Sequence, residues 1–123
     1  MTLAYWMVLV AAMLPYIAVG YAKLRPNYNN HAPRVGIEQL PPAKQRAYWA
    51  HLNAFEAFPS FAAAVIIAHL AHASQPLVDG LAIAFVVARV AHLLLYIKDA
   101  AALRSIAWTV GMGCVVGLFV ASV

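Results

Sequence analysis

Four long apolar runs, separated by short clusters of polar and turn-forming residues, divide this chain. Residues 1–22 carry no charge. At 1.5 Å of rise per residue they suffice to cross a hydrocarbon core of about 30 Å. Pro15 falls within this run, where a kink is tolerated if neighbours satisfy the freed carbonyl. Lys23 and Arg25 mark its interfacial end, and Pro26–Leu40, rich in Pro, Asn and Gly, reads as a loop. Pro41-Pro42 is a suitable start for a second helix. That helix runs to about Ala73, longer than the bilayer core, so Lys44, Gln45 and Arg46 protrude and snorkel outwards. Ser74-Gln75-Pro76 makes a turn, and a third helix follows from about Leu77 to Lys98. A tight connection at Asp99 leads to a fourth helix from near Leu103, uncharged from Ser105 to Val123. The pattern predicts helices over about 3–24, 42–73, 77–98 and 103–122 in one domain spanning 1–123. The short turns impose an all-α, up-down four-helix bundle in a membrane.

Composition supports a membrane rather than water as the solvent. Of 123 residues, 65% are hydrophobic and only 10% charged, too few polar groups to cover a soluble domain of this size. The mean hydropathy is +0.79. The first segment has no basic stretch before its apolar run and no convincing cleavage site, so it reads as a retained transmembrane helix. A net charge of +4 invites a nucleic-acid reading, but the cations are gathered at helix flanks. Lys23, Arg25, Arg34, Lys44 and Arg46 surround the first connection, and Lys98 and Arg104 the third. That distribution predicts both basic connections on the cytoplasmic side, the termini opposite, and no nucleic-acid partner. The single cysteine, Cys114, allows no internal disulfide.

Polar residues inside the apolar runs carry the candidate chemistry. Arg46, Trp49, Asn53, Glu56 and Ser60 fall along one face of the second helix. Asn53 stands roughly 16 Å of helix rise beyond Pro42, so both Asn53 and Glu56 lie within the hydrocarbon zone. A carboxylate there costs about 2.5 to 3.5 kcal/mol unless it is paired or protonated. The third helix offers a matching stripe of Arg89, His92, Tyr96 and Asp99. The two stripes are expected to face each other. A Glu56–Arg89 pair that sets helix register is one reading; a polar cavity towards the basic end, where Arg46, Tyr96 and Arg104 converge, is the other. His69 and His72 are spaced as a metal pair could be, but no acidic or sulfur ligand joins them, and no metal site is expected. Gly113 and Gly117 form a small-residue pair suited to close helix packing.

The second helix, with Arg46-Ala47 followed by Asn53-Ala54-Phe55-Glu56-Ala57-Phe58-Pro59, resembles the hallmark of the MAPEG family, membrane-associated proteins in eicosanoid and glutathione metabolism. Arg89-Val90-Ala91-His92, Tyr96 and Arg104-Ser105 are similar to the pattern of its prostaglandin E synthase branch, and the whole is similar to a bacterial-type member. The resemblance implies a homotrimer in a bacterial inner membrane that binds glutathione between protomers and takes lipophilic small-molecule substrates. It implies that Asn53, Glu56, Arg46, Arg89 and Tyr96 hold glutathione, and that the catalytic Arg104 stabilises its thiolate. The expected activity is a glutathione-dependent transferase or peroxidase acting on lipophilic electrophiles. The alternative is a non-catalytic protein of the same fold that binds a lipid or a protein partner. A proton-coupled transporter using Glu56 is disfavoured, because four short helices without a repeat leave little room for alternating access.

Overall fold

Each apolar run folds as one helix in the computed structural model, which describes residues 1–123. The helices are α1 (Leu3–Lys23), α2 (Pro42–Leu70), α3 (Gln75–Ile97) and α4 (Ala101–Ala121), with a 3₁₀ turn at Ile37–Gln39. All four are long and apolar enough to span a bilayer. Their large apolar side chains, such as Ile17, Val87, Ile106 and Val116, point outwards, as a hydrocarbon solvent requires. The chain is an integral membrane protein.

The helices pack as a rhombus. α1 touches α2 and α3, α4 touches α3 and α2, and α1 and α4 do not meet. α2 and α3 therefore form the short diagonal, and what lies between them is shielded most. The centre of that diagonal is a parallel stack of Phe61 on Phe85, ring centroids 3.9 Å apart. Around it the buried positions are mostly alanines, Ala57, Ala64, Ala68 and Ala82 among them. Small side chains let backbones approach closely where no aqueous hydrophobic force drives helices together. Of the expected glycine pair, only Gly117 serves such an approach: a Cβ there would meet Leu81 at 3.3 Å, whereas Gly113 faces open space.

α2 ends at Leu70 rather than at about Ala73, and the reason is local. His72 takes a left-handed conformation (φ 55°), and Ala73 N–H reaches back to the Ala68 carbonyl at 3.0 Å. This is a Schellman ending, built without glycine. α3 ends the same way, with Asp99 at φ 62° and Ala100 N–H on the Leu95 carbonyl. Both connections are consequently tight enough to force antiparallel neighbours.

The first connection is folded rather than loose. Arg25 donates to the carbonyls of Val35 (3.0 Å) and Gly36 (3.2 Å), drawing the loop back against the end of α1. Gly36 adopts φ 76°, a conformation only glycine takes cheaply. Leu40 then buries against Ala22 and Ala47. Inside α1, the carbonyl of Pro15 accepts a hydrogen bond of 2.8 Å from His51 Nδ1, tying α1 to α2.

Candidate functional site

The two polar stripes meet across the α2–α3 diagonal at Asn53 and Arg89, while Trp49 and Glu56 of the α2 stripe turn outwards, and Asn53 is the hinge of the arrangement. Arg89, only 4% exposed, donates from Nη2 to Asn53 Oδ1 at 2.8 Å. Asn53 in turn donates from Nδ2 to Glu56 Oε2 at 3.2 Å. Arg89 and Glu56 form no direct ion pair; the chain's one such contact is Arg46–Asp99 at 3.9 Å. The expected pair is thus a relay of cation, amide and carboxylate. Asn53 holds both charged groups at once because an amide offers an acceptor and a donor. One Nδ2 hydrogen remains free.

Glu56 is exposed on the outer face of α2, beside exposed Trp49 and Leu52. Within the isolated chain this carboxylate would meet lipid, which is costly at that depth. Arg46 is also placed differently from expectation. Its Nε and Nη2 both donate to the Ile97 carbonyl, at 3.1 and 3.0 Å. The guanidinium closes the C-terminus of α3, where a cation also meets the negative end of the helix dipole. It does not join Tyr96 and Arg104.

Those two do come together. The Arg104 guanidinium lies over the Tyr96 ring, 4.3 Å from its centroid. His92 meets the same ring edge-on, with centroids 5.5 Å apart. Asn53, His92, Tyr96, Arg104, Ser105, Trp108 and Thr109 line a cleft of about 250 Å³ between α2, α3 and α4. Arg89 stands behind Asn53, and neither it, Arg46 nor Glu56 lines this space. Ser105 and Thr109 donate their hydroxyl hydrogens to the carbonyls of Ala101 and Ser105 in their own helix, leaving oxygen lone pairs towards the cleft. Ala100 gives α4 no side-chain cap, so the first-turn N–H groups add positive potential beside Arg104.

Trp108 and Thr109, each one helical turn beyond the Arg104-Ser105 pair, are the lining residues that the sequence reading passes over. His92 is 3% exposed, yet lines the cleft. Its spacing from Arg89 and Tyr96 on one helix face is the signal that finds it. His69, by contrast, is fully engaged. Its Nδ1–H donates to the Val65 carbonyl at 2.7 Å, and its Nε2 accepts from Thr2 Oγ1 at 2.8 Å.

Residues 3–123 match the sequence profile of the MAPEG family. The chain belongs to that family, whose members are membrane proteins of eicosanoid and glutathione metabolism. No curated protein and no solved structure matches it.

Proposed function

We propose that this protein is a glutathione-dependent transferase or peroxidase acting on lipophilic electrophiles, with the cleft at Arg104 as its thiol site. The observation that carries this reading is the Arg104–Tyr96 stack opening into a cleft lined by amide, imidazole and hydroxyl groups and by no carboxylate. Glutathione is net negative and rich in hydrogen-bonding groups, so a guanidinium, a free amide N–H and hydroxyl lone pairs fit it. When bound it supplies a nucleophilic sulfur. Arg104 keeps a fixed positive charge where that sulfur must lose its proton, which raises the thiolate fraction. The Tyr96 ring holds the guanidinium in place. Asn53 presents its free N–H, and Arg89 and Glu56 fix the orientation of that amide. Arg89 and Glu56 are positioning residues in this account, and Arg46 holds the end of α3 that carries Tyr96.

The exposed Glu56 supports a homotrimer. A second protomer against the Trp49–Glu56 face of α2 would remove the carboxylate from lipid and close the neighbouring cleft. The basic connections lie together at one end of the bundle, as the Arg46–Ile97 contact requires; the positive-inside rule supports the reading of that end as the cytoplasmic one, in a bacterial inner membrane. The test is conjugation of glutathione to a generic aryl halide by the purified protein. Activity must be detectable and must collapse in Arg104→Ala. An inactive wild type, with a melting temperature unmoved by millimolar glutathione, would favour the non-catalytic reading instead.

A further inference from the structure

On the opposite side of α2 from the thiol cleft lies a second cavity, of about 360 Å³, with which the cleft shares no lining residue. It is bounded by α1, α2 and the folded first connection. Its rim carries three cations, Lys23, Arg25 and Arg34, and its floor carries Tyr16, His51 and Phe55. None of the chain's four acidic residues lines it. Tyr16 lies seven residues before Lys23, so rim and floor are separated by roughly 10 Å of helix rise along the membrane normal. The cavity thus runs from cationic at the interface to aromatic inside the hydrocarbon.

We propose that this cavity binds an anionic phospholipid, its phosphate at Lys23, Arg25 and Arg34 and the start of one acyl chain along Tyr16 and Phe55. Three observations lead there. Lys23 has no carboxylate partner; its ammonium rests 5.7 Å from the Tyr28 ring centroid. Arg34 is exposed and makes neither a side-chain hydrogen bond nor an ion pair. Arg25 spends Nη1 and Nη2 on loop carbonyls, but its Nε is buried with no acceptor. An unpartnered buried donor costs about 1–3 kcal/mol, so the Arg25 charge is incompletely compensated within the chain, and a phosphate is a strong acceptor for the cations gathered at this rim. The polarity gradient matches that of a lipid from headgroup to chain. At roughly 30 Å³ per water, the space has the volume of about twelve waters, enough for a headgroup but not a whole lipid. The remaining acyl carbons lie in the bilayer. This site is independent of the glutathione reading and stands or falls without it.

The experiment uses the purified full chain in neutral-detergent micelles. Phosphatidylglycerol, phosphatidylcholine and inorganic phosphate are titrated separately, with bound lipid read by native mass spectrometry and stability by thermal melting. Phosphatidylglycerol is expected to bind and to raise the melting temperature, while the other two do neither. Lys23→Gln and Arg34→Gln should each weaken binding about five-fold, the usual worth of one cation near an anionic lipid surface. Lys98→Gln, at the same end but outside the cavity, should leave binding unchanged. Arg25 is left intact because it holds the loop. Equal binding of the zwitterionic lipid, an equal effect of free phosphate, or an equal loss in Lys98→Gln would each overturn the proposal.

Discussion

The two ends of this bundle handle polar groups in opposite ways. At the end away from the basic connections, Asp79 accepts from the Ala4 N–H and from Gln75 Nε2, both at 2.8 Å. Thr2 joins His69, His69 joins Val65, and Tyr5 stacks on the same imidazole with centroids 4.1 Å apart. Every one of these polar groups is matched by another within the chain, and together they fasten the start of α1 to α2 and α3. At the basic end, Arg104, Ser105 and one N–H of Asn53 open into a cleft, Glu56 faces outwards, and Arg25 Nε has no acceptor. An apolar solvent makes such openness expensive. Polar groups left open in a membrane helix are therefore the ones to read as binding groups, while the satisfied end is a clasp.

The sharpest way to break this contrast is Arg104→Ala. If the basic end is the chemical end, conjugation should fall about 10²–10³-fold, the usual cost of removing one preorganised electrostatic group. The melting temperature should barely change, because Arg104 supports no buried partner beyond the Tyr96 ring. A steady-state assay beside a thermal melt reads both. A variant that unfolds without losing specific activity would mean that Arg104 belongs to a clasp after all.

The reverse result is expected at the far end. Asp79→Ala strands the Ala4 N–H and the Gln75 amide, at a cost of about 1–3 kcal/mol. Conjugation per folded molecule should be unchanged. Denaturation in detergent, followed alongside activity, distinguishes this from Arg104→Ala. Loss of activity without loss of stability would show that the clasp reaches the site.

These contrasts also mark what could be read from the order of residues. The bundle was legible because uncharged runs of membrane length leave few folds to choose from. The facing stripes were legible from helical spacing, which places Asn53, Glu56, Arg89 and Tyr96 on particular faces. Spacing does not say how far a long side chain reaches. Arg46 shares its stripe with Asn53, yet its guanidinium bends to the Ile97 carbonyl, a partner that every helix end provides and no side-chain pattern announces. For the same reason Glu56 and Arg89 read as a pair, when the shorter Asn53 stands between them and takes both. The ends of α2 and α3 were hidden as well, since His72 and Asp99 hold positions where glycine is the usual signal.

Arg46→Lys tests the clamp at an intermediate scale. Lysine keeps the charge but cannot place two N–H groups on one carbonyl. The loss should be about 1 kcal/mol of stability, the net worth of one hydrogen bond. Because α3 carries Tyr96, a looser α3 terminus should raise the KM for glutathione more than it lowers kcat. A change in kcat alone would argue that Arg46 acts on the reaction directly.

The smallest effect comes from the two turns, which share a backbone strain but differ in what offsets it. His72 and Asp99 both sit in the left-handed region, which costs an ordinary residue about 1–2 kcal/mol and glycine almost nothing. His72 is exposed, and no side-chain hydrogen bond or ion pair engages it. His72→Gly should therefore stabilise the protein, by about 0.5 kcal/mol once glycine's extra freedom in the unfolded chain is subtracted. Asp99 is largely exposed too, but its carboxylate lies 3.9 Å from Arg46 Nη1. A solvent-screened pair of this kind is worth about 0–1 kcal/mol, so Asp99→Gly should gain less, or nothing. Melting the two variants side by side measures the difference, which is the contribution of the Arg46–Asp99 contact. Equal gains would mean that this contact adds nothing and that Arg46 holds α3 through the Ile97 carbonyl alone.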